Sequence, residues 1–248
     1  MKRVFDPSEL EFIDREQPVS PAFENELRHL EEINRYFGSH RLIRKFLTAW
    51  LNPGRCYRVL DLCTSSGDIP RIMVDWARKA GVILRIDAVD SNESALEIAR
   101  RLSAGYPEIQ YVRGDARSFE TSETYDLVCC SLSLHHFTDD DALRVLRRCR
   151  LLSHRFAVVA DLERSLATSL GVRLLTTFLY REPYTRADAL ISARHAFTYR
   201  ELHDMADAAG WLNFGHARFL FARQAIWLDA RDAGDIPLTD EVALPCPT

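Results

Sequence analysis

Arg58 to Pro70 reads RVLDLCTSSGDIP, and its three parts decide the fold. RVLDL is a short apolar run ended by a carboxylate and one more leucine, the pattern of a strand buried on both faces. DIP places an acid and a proline where a helix begins. Between them lies CTSSG, a turn of small residues. A strand that passes through such a turn into a helix is the entrance to a nucleotide-binding α/β fold. In the dinucleotide version that turn carries two or three glycines, one of which lets the backbone approach a pyrophosphate. Here only Gly67 is present, preceded by Thr64, Ser65 and Ser66. Serine takes a positive φ less readily than glycine. The turn therefore speaks against a pyrophosphate ligand more strongly than against an adenosine cofactor without phosphates.

The same alternation continues outward. Strands are expected at Tyr57–Leu62, Ile83–Val89, Ile109–Arg113, Tyr125–Ser131 and Phe156–Ala160, and helices at Ile69–Gly81, Ser94–Ala104 and Asp139–Leu151. Strands joined by crossover helices form a parallel, doubly wound sheet. Upstream, Leu27, Leu30, Ile33 and Phe37, then Leu42, Phe46, Leu47 and Trp50, recur at helical spacing. Gly38 divides them into two helices, and Asn52-Pro53-Gly54 ends the second. Residues 1–20 hold charges and prolines and are expected to form a loose arm. From Asp161 to Phe197 the pattern is helical, without a strand. A helix over Thr198–Gly210 follows, with Thr198 and Glu201 spaced as a capping box. Asn213–Leu220 and Arg223–Leu228 then read as a hairpin at the sheet edge.

The expected organisation is thus an N-terminal helical arm or lid (1–54), a Rossmann-like cofactor-binding core (55–160), a helical cap over an acceptor site (161–197), a final helix and hairpin (198–229), and a mobile tail (230–248). The fold class is α/β, a seven-stranded and mostly parallel sheet with an antiparallel last strand.

Composition narrows the partners. With 248 residues, 47% hydrophobic and 27% charged, the chain has ample material for one core and ordinary globular chemistry. Its formal net charge of -4 points away from nucleic acid. The basic run Arg144, Arg147, Arg148 and Arg150 falls on one helix, as a solvated face does. Six cysteines show neither metal spacing nor a disulfide framework, so no metal is implied and a reduced, cytoplasmic setting is expected. The opening MKRVFDPSELEFIDREQP is too charged for a signal peptide, and no apolar run reaches transmembrane length. A monomer or a homodimer with a small-molecule acceptor is the expectation.

Ligands of open α/β sheets bind beyond the carboxyl ends of the strands. Polar residues stand at those ends in order. Asp61 closes strand one, Asp90 strand two, Asp115 follows strand three, Ser131 to His136 follow strand four, and Asp161 closes strand five. Asp90 can accept from both ribose hydroxyls of an adenosine; its plainer reading is the cap of the next helix. Asp115, in GDA, can accept from an adenine amine, or is simply a turn aspartate.

VLDLCTSSGDIP, IDAVDSNESALEIAR, VRGDARSF and YDLVCCSLSLHHFTDDDALRVLRRCRLL together resemble the four successive motifs of class I S-adenosylmethionine-dependent methyltransferases. Order and spacing match over roughly residues 55–160, and the hairpin suits that family's antiparallel final strand. The chain is most similar to small-molecule methyltransferases of the ubiquinone/menaquinone type. DLERS (Asp161–Ser165) and SARHAFTYREL (Ser192–Leu202) resemble a subgroup found beside polyketide-type aromatic and phenolic-lipid enzymes. The resemblance implies S-adenosyl-L-methionine as cofactor and S-adenosyl-L-homocysteine as product. It implies that Asp61, Ser65 and Gly67 form the methionine-moiety loop, Asp90 holds the ribose, Asp115 and Ala116 the adenine, and Ser131 with Leu132 the sulfonium side, with Cys63, Thr64, Asp68 and Ser91 also expected to bind the cofactor. Cys63 and Ser65 depart from the family, which has glycine at both places.

Methyl transfer needs alignment, exclusion of water and often removal of a proton from the acceptor. A phenol has a pKa of about 10, so an imidazole assists only in contact with it. His135 and His136, where strand four opens, and His195, in the cap, are the candidate bases; each has a plain structural reading. Tyr180, Tyr184, Arg186, Asp188 and Arg194 would line a flat, electron-rich acceptor. Arg35 and Tyr36 would close the cofactor site. The expected activity is O-methylation of a small aromatic, phenolic or polyketide-like acceptor. The rivals are a fold relative that binds cofactor without transferring methyl, and a nicotinamide-linked dehydrogenase.

Overall fold

The computed structural model describes residues 3–166, 168, 170, 171 and 183–229. Seven strands form one sheet: β1 (Cys56–Leu62), β2 (Ile83–Asp90), β3 (Ile109–Arg113), β4 (Tyr125–Ser131), β5 (Ser153–Leu162), β6 (Gly215–Phe219) and β7 (Arg223–Asp229). Their spatial order is β3-β2-β1-β4-β5-β7-β6. The first five pair in parallel, and β7 inserts antiparallel between β5 and β6. The order reverses between β1 and β4, so their carboxyl ends flank the crevice where such sheets bind ligands.

The strands are apolar because both faces are covered. Tyr57, Val59, Leu84, Ile86, Leu127, Phe156 and Val158 point to one side, against α2 (Ser39–Trp50) and α3 (Asp68–Ala80). Leu60, Leu62, Val128, Cys130, Ala157 and Val159 point to the other, against α5 (Asp139–Leu152) and the final helix. The period of two along a strand separates these sets. The Trp50 ring stacks on Phe156 with centroids 4.8 Å apart. α1 (Pro21–Tyr36) packs Phe23 and Leu27 on Ala95 and Ile98 of α4 (Glu93–Leu102).

Local chemistry sets the helix ends. Ser20 accepts from the Phe23 amide with Pro21 in the first turn, Asn92 accepts from Ala95, and Thr138 from Asp141. Gly38, at φ 90°, separates α1 from α2. α6 (Pro183–His195) precedes α7 (Tyr199–Ala208), whose Thr198–Glu201 capping box is formed. β5 runs to Leu162, beyond the end expected at Ala160, because β7 pairs with it from Phe156 through Leu162. Residues 3–20 are not loose among the described residues. A backbone carbonyl of this arm, Ile13 O, accepts from Asn92 Nδ2 at 3.0 Å, and Gln17 O accepts from Ser94 Oγ at 2.7 Å. Arg3 donates to the carbonyls of His195 (2.6 Å) and Phe137 (2.7 Å) and lies 3.8 Å from the Phe197 ring centre.

Candidate functional site

β1 carries Asp61 to the crevice, and the turn behind it bends three times. Cys63, Ser65 and Gly67 have φ of 61°, 50° and 75°. Both non-glycine residues thus take the left-handed conformation that glycine takes freely, at about 1–2 kcal/mol each. That shape aims the turn's amides inward. Thr64 N donates to Val89 O at 3.0 Å, and Ser65 N to Asp90 Oδ2 at 2.8 Å. Asp90 Oδ1 accepts from Asn92 N at 2.9 Å. The cap of α4 is Asn92, so Asp90 serves the turn and the cavity rather than the helix. Gly67 is required twice, by its φ and because a Cβ there would stand 2.0 Å from the Tyr111 hydroxyl.

Among the described residues three buried side-chain atoms at these strand ends lack a partner at full hydrogen-bond geometry, Asp61 Oδ2, Thr64 Oγ1 and Ser131 Oγ, although Thr64 stands near enough to Asp61 to favour its charged form. Each unpaired group costs about 1–3 kcal/mol, and burial pushes the Asp61 carboxyl up to about 7. They are donors and acceptors for a polar ligand at the end of β1 and β4. The turn offers no glycine-rich cradle for phosphates, so the residues fit an adenosine cofactor with a polar, phosphate-free tail. Asp115 is held by Arg117, whose Nε stands 2.9 Å from Oδ1, and Ala116 is buried beside it. Asp68 lines the cavity and is held by its neighbours. Burial would raise its carboxyl, but His40 at 2.8 Å, Asn34 at 2.9 Å and Arg71 hold it below the ordinary value. Its engaged oxygen ties α1 and α2 to α3.

Of the twelve expected cofactor residues, all but Gly67 line one cavity of about 1050 Å³. Gly67 shapes the turn from behind. Asn34, and neither Arg35 nor Tyr36, represents the end of α1 in that wall.

The far end of the cavity holds the histidine pair. His135 is buried, with its amide 2.9 Å from Asp161 Oδ2 and its Nδ1 2.6 Å from Oδ1. Its Nε2 lies 3.7 Å from Glu11 Oε1. His136 Nδ1 lies 2.6 Å from Asp14 Oδ2. Burial alone would depress this imidazole, but Asp14 and Glu11 outweigh it and hold His136 well above its ordinary value. Burial raises Glu11, which accepts from Ser192 Oγ at 2.5 Å. His195 lies elsewhere. It is buried behind the wall with its ring 4.7 Å from that of Phe5, and burial pulls it down to about 4. It does not line the cavity.

The expected acceptor residues divide by helical face. Asp188 lines the cavity, accepts from the Phe12 amide at 2.9 Å with both oxygens, and is pushed by burial to about 7. Tyr184 stacks on Phe12 with centroids 4.2 Å apart, and Arg194 pairs outside with Glu9 at 2.9 Å. Arg186 is exposed, and Tyr180 lies outside the described residues. α6 turns Asp188 and Ser192, one helical turn apart, inward and the arginines outward. The expectation that Tyr184, Arg186 and Arg194 line the acceptor site is therefore corrected. Glu11 and Asp14 of the arm and Arg223 of β7 line the cavity instead. No periodic pattern marks the arm, because it forms no long regular element and is held by scattered polar and aromatic contacts. Arg223 shows one signal: a cation opening a buried strand.

A seven-stranded sheet of this order places its cavity at the β1/β4 switch point, where open α/β sheets bind ligands. Residues 59–153 match the methyltransferase domain family, and the fold is similar to that of solved methyltransferases. It is 30% identical over 125 residues to the 2-phytyl-1,4-naphtoquinone methyltransferase of Thermosynechococcus vestitus, a match spanning 50% of this chain and 54% of the relative. The chain thus spans about half the length of that curated relative. Its fold is similar to the plantazolicin methyltransferase BamL, solved with a triazolic desmethylPZN analogue and S-adenosylhomocysteine (TM-score 0.62, 18% identity, 82% of this chain and 74% of that one). It is also similar to a SAM-dependent methyltransferase from Aquifex aeolicus (TM-score 0.58, 13% identity, 82% and 96%). No helix among the described residues is long and apolar enough to cross a membrane.

Proposed function

We propose that the protein is an S-adenosylmethionine-dependent methyltransferase acting by O-methylation on a small aromatic, phenolic or polyketide-like acceptor. The observation that carries this reading is the trio of unpartnered buried atoms, Asp61 Oδ2, Thr64 Oγ1 and Ser131 Oγ, beside the left-handed turn. The quinone methyltransferase relative supports the acceptor class, and the homocysteine product bound in a structural relative supports the cofactor. When bound, the cofactor supplies an activated methyl group on a cationic sulfur.

The chain's own residues then have separable tasks. Asp61, with Thr64 and Ser131, takes the polar amino-acid end. Asp90, fixed by the Ser65 and Asn92 amides, takes the ribose hydroxyls. Asp115 and Ala116 flank the adenine. The arm and α6 exclude water, which an in-line displacement requires. His135 is the favoured base. Asp161 holds its Nδ1, which leaves Nε2 to face the cavity and receive the acceptor's proton. His136, kept cationic by Asp14 and Glu11, is the wrong form to accept a proton and the right one to hold a developing oxyanion.

Calorimetry with S-adenosylmethionine and S-adenosylhomocysteine tests the reading first; if neither binds, it is wrong. Product masses from a panel of phenols, quinols and polyketide aromatics test the second half. A mass gain on carbon, established by fragmentation, would overturn O-methylation alone.

A further inference from the structure

Arg223 opens β7 and stands opposite Leu162 of β5 and Phe219 of β6. Its side chain is buried, at 5% exposure, and lines the same cavity. The protein satisfies it incompletely. Nε donates to Ser39 Oγ at 3.1 Å and Nη1 to Phe221 O at 3.3 Å. Nη2 has no acceptor, and among the described residues no carboxylate lies within 4.0 Å of the guanidinium. The other buried arginines are treated differently. Arg71 pairs with Glu31 at 2.8 Å and Arg164 with Glu201 at 2.5 Å. Arg218, in the same wall, is neutralised by Glu163 at 2.7 Å. Asp161 acts on Arg223 electrostatically, but both its oxygens are occupied by His135 and the Leu162 amide.

A buried cation without a counter-ion is costly, and a guanidinium is shaped to take a carboxylate through two parallel N–H groups. We infer that Arg223 anchors a carboxylate on the acceptor, so that hydroxylated aromatic acids are taken in preference to neutral phenols and quinols. This substrate class rests on the methyltransferase reading above. The cofactor's own methionine carboxylate has the same chemistry, but the sheet order separates it. The ribose residue Asp90 ends β2 and the turn follows β1, whereas Arg223 lies on β7, three strands from β1. At about 4.8 Å per strand, the β7 backbone is well offset from the turn, while the Ser39 contact adjoins the His40 that holds Asp68 beside the turn, so the test below separates the two carboxylates. His135 and Arg223 line one cavity, the first bonded to Asp161 and the second opposite its neighbour Leu162.

The test measures binding by calorimetry with the full chain, with and without saturating S-adenosylhomocysteine. The probes are salicylate and 4-hydroxybenzoate against phenol and 1,4-naphthoquinol. The acids are expected to bind at least ~10-fold tighter than the uncharged rings. Arg223→Met should erase that difference and Arg223→Lys retain part of it, with S-adenosylhomocysteine affinity unchanged in both. Equal or tighter binding of the neutral rings overturns the inference. So does a variant that loses S-adenosylhomocysteine while keeping 5′-methylthioadenosine, since the carboxylate held is then the cofactor's. If Arg223→Met does not fold, the wild-type preference and Arg223→Lys decide the matter. Failure of wild-type protein to bind either nucleoside sinks the methyltransferase reading instead, while the acid preference without nucleoside still judges Arg223.

Discussion

Ser65 has a φ of 50° and Cys63 a φ of 61°, so the two departures from glycine cost strain while the turn keeps its shape. Ser65→Gly should relieve that strain. After glycine's own entropic cost, the gain is about 0.5–1 kcal/mol, a rise of roughly 1–4 °C in melting temperature. Gly67→Ala runs the other way. It adds a Cβ where Tyr111 stands 2.0 Å off, and should cost about 2–4 kcal/mol in thermal unfolding and weaken cofactor binding. At the other end, His135→Asn should slow turnover by about 100-fold or more while cofactor affinity stays within a factor of two. Single-turnover kinetics beside calorimetry separates these effects; a parallel loss of affinity would make His135 structural. Asp90 and Asp115 could be found in the sequence because they follow strands whose ends were visible. His195 could not be placed, since a histidine beside an apolar run looks the same whether it faces a cavity or the core behind it.

Elements were legible where burial imposes a period. The parallel strands show as apolar runs and the helices as amphipathic ones, and the Thr198–Glu201 box reads directly from spacing. The arm, residues 3–20, was unreadable for the opposite reason. Its contacts include Arg3 on three carbonyls, the Phe12 amide on Asp188, Glu11 on Ser192, and the Phe12 ring on Tyr184, and contacts at large sequence separation leave no local pattern. α6 misled in the same way, because which face of a helix looks inward depends on what packs there. Deleting residues 2–18 should leave the sheet folded by circular dichroism, since no strand side chain depends on them. Cofactor dissociation should accelerate at least ~10-fold, as measured by stopped-flow fluorescence. An unchanged dissociation rate would show that the arm covers the acceptor alone.

For the molecule as a whole, the mostly parallel seven-stranded sheet with its antiparallel last strand follows from the sequence, whereas the strand order and the cavity's acceptor wall needed the tertiary fold. Asp61 links this wall-building to global stability. Its folded pKa is raised to about 7 by burial, above its unfolded value of about 3.9. Between those values the folded chain keeps a proton that the unfolded chain has lost. The contribution is therefore present in full below about pH 4 and is lost as pH rises through 7. Unliganded protein should show this loss, on the order of a few kcal/mol, in denaturant midpoints taken from pH 5 to 8. Asp188, raised to about 7 as well, adds a loss of the same sign, so Asp61→Asn should reduce the slope, and an unaltered slope would assign the effect elsewhere.

The arm touches both ends of the cavity within four residues: Ile13 is tied to Asn92 beside the ribose site, and Glu11 and Asp14 meet the histidines. One segment thus contacts both ends of the cavity. Release of the spent nucleoside and of the methylated product is therefore expected to share one opening step. A nucleoside release rate that rises with acceptor concentration would count against it.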